Sequence, residues 1–333
     1  MDGRRDPGDE EALRPRVVFS RCLGFESCRY NGNIIQEPVV ESIKPFVEPV
    51  TVCPEVEVGL GVPREPIRLV RQGDGSLRLV QPETGDDVTE AMQSFCEERL
   101  GEIGPVDGFV LKAASPTCGL RDVRAYSSTK RGASFEKTRG VFGGAVRDRF
   151  SHLAIEDEGR LRNFDIRQHF LTRLFTMARF RRAAAAGKRR DLVAFHTRHK
   201  LLLMAYNQTE LRELGRIVAG ADGPPGDRGV PWDAYAERLD AALSRLPRRG
   251  SAINVLMHAL GYVSDELTAR EKAFFLDALE QYRERHVPLS VPTSLMRSWI
   301  VRFEQPYLDG QAYFQPYPQG LVDVLDSGKG REL

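Results

Sequence analysis

Residues 106–119, VDGFVLKAASPTCG, decide the reading of the fold. An apolar run ends in Lys-Ala-Ala-Ser-Pro, and a cysteine stands between this exit and a glycine. Two other apolar runs end the same way. RVVFS (16–20) leads into FSRCLGFESCRYNG (19–32), and EPVTV (48–52) leads into VTVCPEVEVGLGVPREP (50–66). Between the first two runs, EPVVESIKPFV (37–47) carries Val39, Val40, Ile43 and Phe46 at helical spacing, with Pro38 suited to a first turn. Before the third, DVTEAMQSFCEERLGEIG (87–104) puts Met92, Phe95, Cys96 and Leu100 on one helical face. The intervening IRLVRQGDGSLRLV (67–80) alternates around Gly-Asp-Gly and reads as a hairpin. Strand, helix, strand, helix, strand predicts an α/β domain with a mainly parallel sheet. Ligands of such sheets bind beyond the carboxyl ends of the strands, where Cys22, Cys53 and Cys118 all fall.

The 333 residues exceed one domain's usual length, so two domains are expected. From Leu161 onward the pattern turns helical: FDIRQHFLTRLFTMARF (164–180), DLVAFHTRHKLLLMAY (191–206), AINVLMHALGYV (252–263) and TAREKAFFLDALEQYRERHVPL (268–289) are amphipathic. The expected organisation is a charged lead-in at 1–15, an α/β domain at 16–158, an all-α domain at 159–326 and a tail at 327–333. AGADGPPGDRGVP (219–231) reads as an exposed connector.

Composition narrows the class. With 41% hydrophobic and 29% charged residues, and no run near 18 apolar residues, the chain reads as soluble and without a membrane span. The first residues lack the apolar stretch of a secretory signal. Five cysteines form no disulfide framework, which points to the cytoplasm and reduced thiols. The net charge of +1 hides an asymmetry: residues 160–216 hold fourteen Lys and Arg against four acids. Such a segment suits a polyanion. Its densest part is RRAAAAGKRR (181–190), a basic helix end or a loop.

Cys96, on an apolar helical face, reads as core. Cys28 reads as structural or packed beside the other thiols. Spacing alone leaves a joint metal site for Cys22, Cys53 and Cys118 open, since there are no CxxC pairs. Glu55, in CPE, is a candidate base, and Ser115 a candidate hydrogen-bond donor or loop cap. Glu57 and Arg64 are weaker candidates, Arg64 for a carboxylate or phosphate. Tyr30 and Asn31 read as stacking or turn residues. Phe164, His169, Phe195 and His199 are core or stacking residues, and His196 with His199 reads as structural or phosphate-binding because no third metal ligand is evident.

Four segments, SRCLGFESCRYNG (20–32), CPEVEVGLGVPREP (53–66), DDVTEAM (86–92) and LKAASPTCG (111–119), in this order, resemble the thiouracil desulfidase family. EDEGRL, FHTRHKLLLMAY, LGRIVA, NVLMHALGY, YRERHVPLSVP and YLDGQAYFQPYP, between residues 156 and 318, look like the YbgA-type domain fused to it in tRNA 4-thiouridine desulfidases. The resemblance implies a [4Fe-4S] cluster on Cys22, Cys53 and Cys118 with one open iron. Neither Cys28 nor Cys96 is among the family's ligands. It further implies hydrolytic desulfuration of 4-thiouridine in tRNA, and of small thiolated pyrimidines, to uridine and sulfide, with Glu55 as base. Arg64, Arg181, Arg182, Lys188, Arg189 and Arg190 become candidates for substrate or tRNA contact. Two alternatives stand beside this: a desulfidase of free thiobases only, and a non-catalytic RNA-binding protein with a structural or sensing cluster. The reverse reaction, sulfur insertion, is disfavoured because neither GxxxxGK[ST] nor an SGG pyrophosphatase motif is present.

Overall fold

The computed structural model describes residues 13–220 and 229–322. Most of the lead-in expected at 1–15, the core of the connector at 219–231 and the tail expected at 327–333 therefore lie outside the described residues. The chain divides into two compact units, residues 14–174 and 175–320.

The first unit is built on a four-stranded parallel sheet, ordered β2-β1-β5-β8. β1 (Arg16–Ser20) runs through its centre, with Val17, Val18 and Phe19 fully buried. A strand covered on both faces takes such a continuous apolar run. β2 (Glu48–Val52) pairs with it so that Ser20 faces Val52, and β5 (Gly108–Leu111) so that Phe19 faces Val110. The three exits therefore lie side by side on one sheet edge. The fourth strand, β8 (Ala154–Asp157), was not evident from sequence; its pattern carries two acids in four residues. The predicted helix at 37–47 is the short α1 (Pro38–Ile43) followed by a 3-10 turn, with Val40 and Ile43 buried. α2 (Pro54–Glu57) starts right after β2, and α3 (Thr89–Glu102) buries Met92, Cys96 and Leu100.

Residues 67–80 form the expected hairpin, β3 (Arg68–Arg71) and β4 (Leu77–Val80). They belong to a second sheet that sequence reading did not find. Its order is β4-β3-β6-β7, with β6 (Val123–Tyr126) parallel to β3 and antiparallel to β7 (Phe135–Thr138). One core joins the two sheets to α3 and to α4 (Val141–Arg149): Val18, Val52, Phe109, Leu69, Leu79, Met92, Cys96, Phe142 and Val146 all contribute.

The second unit is helical. α5 (Phe164–Ala186) ends at Gly187, whose φ of +71° suits glycine, and α6 (Arg189–Tyr206) starts after Lys188. The basic RRAAAAGKRR stretch is thus a helix end, a tight turn and a helix start. α7 (Gln208–Gly220) and α8 (Trp232–Ala242) close a core with α6 around Phe180, Phe195 and Tyr235. α9 (Arg249–Val263), α10 (Ala269–Arg283) and α11 (Ser290–Arg302) build a second core around Val255, Phe275, Met296 and Trp299. Thr268 and Glu271 cap α10 reciprocally, as a capping box does. Among the described residues no helix is long and apolar enough to cross a membrane.

Candidate functional site

The strand exits converge as the cysteine positions anticipate. A pocket of about 320 Å³ is lined by Cys22, Cys53 and Cys118, and also by Cys28, Glu55, Arg64 and Ser115. Tyr30 and Lys112 stand on the same wall. Cys96 lies apart, in the core beneath α3.

Each thiol is positioned by local hydrogen bonding. Cys53 precedes α2, and its N–H donates to Glu57 Oε1 at 3.0 Å. The same oxygen accepts from Arg21 at 2.5 Å, so Glu57 ties the β1 exit to the β2 exit. Cys118 sits in a turn closed by Ser115, whose Oγ accepts from the N–H of Thr117 at 3.2 Å and of Cys118 at 3.1 Å. α4 docks its N-terminus onto this turn. Gly140, Val141 and Gly143 donate their N–H groups to the carbonyls of Gly119, Pro116 and Thr117. A Cβ at Gly143 would lie 2.5 Å from the Cys118 carbonyl oxygen, and one at Gly140 2.5 Å from that of Thr117. Those glycines let the helix approach the third thiol. Gly143→Ala is expected to push the turn aside, at about 1–3 kcal/mol of stability as for other overpacked sites. A denaturant melt that leaves the midpoint unmoved contradicts this.

Glu55 projects from α2 into the pocket. Its Oε2 accepts from Arg64 Nε at 2.9 Å and from the neighbouring guanidinium nitrogen, while Oε1 accepts from Thr117 Oγ1 at 2.8 Å. Ser115 Oγ lies 2.9 Å from Thr117 Oγ1. A continuous Ser115–Thr117–Glu55 chain results. Thr117 was not singled out from sequence; its neighbours in the SPTC turn were, but nothing local marks it. Arg64 also donates to the carbonyls of Cys28 and Gly61, and its side chain is only 4% exposed. It serves as a buried partner of Glu55 and of the thiol loop.

Three of the pocket thiols, Cys28, Cys53 and Cys118, favour their neutral form. Burial pushes Cys118 up to about 12. A hydrogen bond with Cys22 raises Cys28 to about 11, and a hydrogen bond with Cys28 and then burial raise Cys53. Cys28 thus touches two of the predicted ligands, packed beside the other thiols as one of its sequence readings had it. Among the described residues no group of three or more His, Cys, Asp or Glu is gathered so as to hold a single metal ion.

In the helical unit, His199 is fully buried, its Nδ1 2.8 Å from the Phe195 carbonyl, and its ring is stacked on Phe195. His196 Nδ1 lies 3.0 Å from the Tyr235 hydroxyl. Phe195 is buried in the core of this unit, and each imidazole makes its Nδ1 contact within it. Arg181 and Arg182 lie in the last turns of α5, Lys188 precedes α6, and Arg189 and Arg190 open it. Burial, then Lys200, lowers His196, and burial, then Arg179, lowers His199 far below the usual imidazole range. His169 is lowered to about 4 by burial, then by Arg173. These rings fold neutral, whereas in the unfolded chain an imidazole binds its proton near pH 6.5. Their stabilisation is complete above about pH 6.5 and is lost as the pH falls toward the folded values. For His169 alone the loss is roughly 3 kcal/mol between those limits. Urea midpoints that hold steady from about pH 7.5 to 4.5 contradict this reading.

Both halves of the chain resemble known proteins. Residues 17–158 match the family described as 2-thiouracil desulfurase, and residues 200–318 the family described as a protein of unknown function, DUF1722. The uncharacterized protein YbgA of Escherichia coli (strain K12) is 28% identical over 159 residues, 47% of this chain and 93% of that protein. The uncharacterized protein YbbK of Bacillus subtilis (strain 168) is 29% identical over 110 residues, 31% of this chain and 72% of that protein. A solved structure of the [4Fe-4S]-dependent thiouracil desulfidase TudS is 26% identical, with a TM-score of 0.36, covering 44% of this chain and 93% of that one. The chain joins a segment that matches the 2-thiouracil desulfurase family to a C-terminal segment that matches the DUF1722 family.

Proposed function

We propose that this protein hydrolyses the carbon–sulfur bond of 4-thiouridine in tRNA, and of free thiouracil or thiouridine, in the cytoplasm. Water enters, sulfide leaves, and the thiocarbonyl carbon becomes a carbonyl. The reading rests on one observation: three thiols from three strand exits share a pocket with a hydrogen-bonded carboxylate.

In this reading Cys22, Cys53 and Cys118 hold a [4Fe-4S] cluster. The donor set suits it. Thiols are the usual ligands of such clusters. Three thiols lining one pocket would suit such a group. Buried neutral thiols need a neighbouring positive charge to ionise, which iron supplies. When bound, the cluster offers an open iron position that prefers sulfur to oxygen.

The chain's own residues provide the rest. Glu55 Oε1, which keeps a lone pair beyond its bond to Thr117, takes the proton of the attacking water. Arg64 fixes Oε2 and so aims Oε1. Thr117 and Ser115 continue the hydrogen-bond chain and offer the proton a path toward the departing sulfur. Arg181, Arg182, Lys188, Arg189 and Arg190 hold tRNA phosphates, and the target base is unstacked to reach the pocket.

The test is anaerobic loading with iron and sulfide, incubation with 4-thiouridine-containing tRNA, and nucleoside analysis. Uridine and free sulfide are expected in equal amounts. Iron-loaded protein that binds the tRNA yet releases no sulfide supports the non-catalytic alternative instead. Reversing the charge at Arg181, Arg182, Arg189 and Arg190 is expected to cost at least tenfold in tRNA turnover, as several phosphate contacts are lost. An equal loss on free thiouridine argues against a phosphate-gripping role.

A further inference from the structure

We infer that the outer face of the second sheet, β4-β3-β6-β7, is a binding surface for single-stranded RNA, reached directly from the pocket. The inference builds on the tRNA reading above and assigns an RNA contact to the desulfurase unit itself.

The two parallel strands of this sheet leave the pocket wall. Ile67 lines the pocket and Arg68 opens β3; Cys118 lines it and β6 follows five residues later. One face of the sheet is core, with Leu69, Leu79, Val123 and Ala125 buried. Strand alternation puts Arg68, Arg78, Arg124 and Tyr126 on the other. Phe135 stands opposite Tyr126 in register, the two rings 5.8 Å apart, and is 47% exposed.

Arginines cover these rings. The Arg68 guanidinium lies 4.9 Å from the Tyr126 ring centre, and that of Arg124 lies 4.6 Å from Phe135. A third such pair, Arg29 and Tyr30 at 5.5 Å, lines the pocket. The turn of the β6–β7 hairpin, at the end of this face, exposes Lys130 and Arg131.

Three acids of this sheet and its flank are already engaged. Asp122 pairs with Lys137, Glu136 with Arg71, and Asp87 with Arg78. Among the described residues Arg68, Arg124, Lys130 and Arg131 make no ion pair. Residues 121–139 hold six Lys and Arg against two acids.

Rings and guanidinium planes beside unneutralised cations are what unpaired bases and their phosphates require. An acidic peptide would use the cations and leave the rings idle. A base drawn into the pocket brings its flanking nucleotides past this face.

The experiment measures binding of full-length protein to an unmodified oligouridylate of about ten nucleotides by fluorescence anisotropy, over a salt series. Phe135→Ala is expected to weaken binding roughly tenfold with an unchanged salt slope, and Phe135→Trp to restore it. Replacing both Lys130 and Arg131 by alanine is expected to lower the log–log salt slope by about 1.4. Since these two side chains are exposed, that variant serves if Phe135→Ala fails to fold. Wild-type affinity and slope in all variants overturn the inference, and if the wild type desulfurates tRNA the proposed function stands. Binding of polyglutamate with the same response to every variant also overturns it, revealing a general anion surface. A wild-type chain that binds no oligouridylate overturns this inference, while the tRNA substrate stands or falls by the desulfuration assay.

Discussion

Alanine at Cys22, Cys53 or Cys118 is expected to reduce bound iron to background after anaerobic loading, and sulfide release with it. Each thiol comes from a different exit of one parallel sheet, and Cys28, which shares their pocket, lies outside the proposed ligand set. Two controls sharpen the result. Cys96 lies in the core under α3, away from the pocket, so Cys96→Ala should retain iron at some cost in stability. Leaving a methyl-sized gap there resembles other small core truncations, about 1 kcal/mol. Cys28 is the stricter control, since it is hydrogen-bonded to both Cys22 and Cys53 within the same pocket. The proposed assignment gives it no iron, so Cys28→Ala should load normally. Iron and sulfide content per chain decide the matter without any turnover assay. Loss of iron from Cys28→Ala, with full loading of any one of the other three variants, would replace the proposed ligand set.

Glu55→Gln is expected to lower turnover by about 10²–10⁴ while iron content stays unchanged. Glutamine keeps the shape and one oxygen to accept from Thr117, yet cannot take a proton from water. The substitution also removes the charge facing Arg64, a guanidinium with 4% of its side chain exposed. Breaking a buried pair on one side commonly costs about 3–5 kcal/mol. Activity should therefore be measured below the variant's melting temperature. Combining Glu55→Gln with Arg64→Met removes both charges and should recover stability without recovering turnover. Near-normal turnover in iron-loaded Glu55→Gln eliminates this carboxylate as the base and leaves it a structural partner of Arg64.

Much of the site was legible before the fold was known, for a physical reason. Parallel strands buried on both faces are written as short apolar runs, and β1, β2 and β5 each display one ending near a cysteine. The hairpin at 67–80 declared itself by alternation around Gly-Asp-Gly, and the helical half by its amphipathic period. Less local features were hidden. β8 is short and acidic, because it ends where Glu156 meets Arg121 and Arg160. The second sheet pairs β3 with β6, some fifty residues apart, a partnership that no local pattern announces.

Sequence alone thus determined the strands of the first three exits, the hairpin and the long amphipathic helices, and that three thiols stand at strand ends, because periodicity and composition record local burial. Tertiary structure alone decided that those ends are neighbours, that Cys28 joins them, and that Thr117 links Ser115 to Glu55. It also decided how closely α4 approaches Cys118, through Gly140 and Gly143. Register and packing between distant segments are set by how their surfaces fit together, which the order of residues along the chain does not spell out.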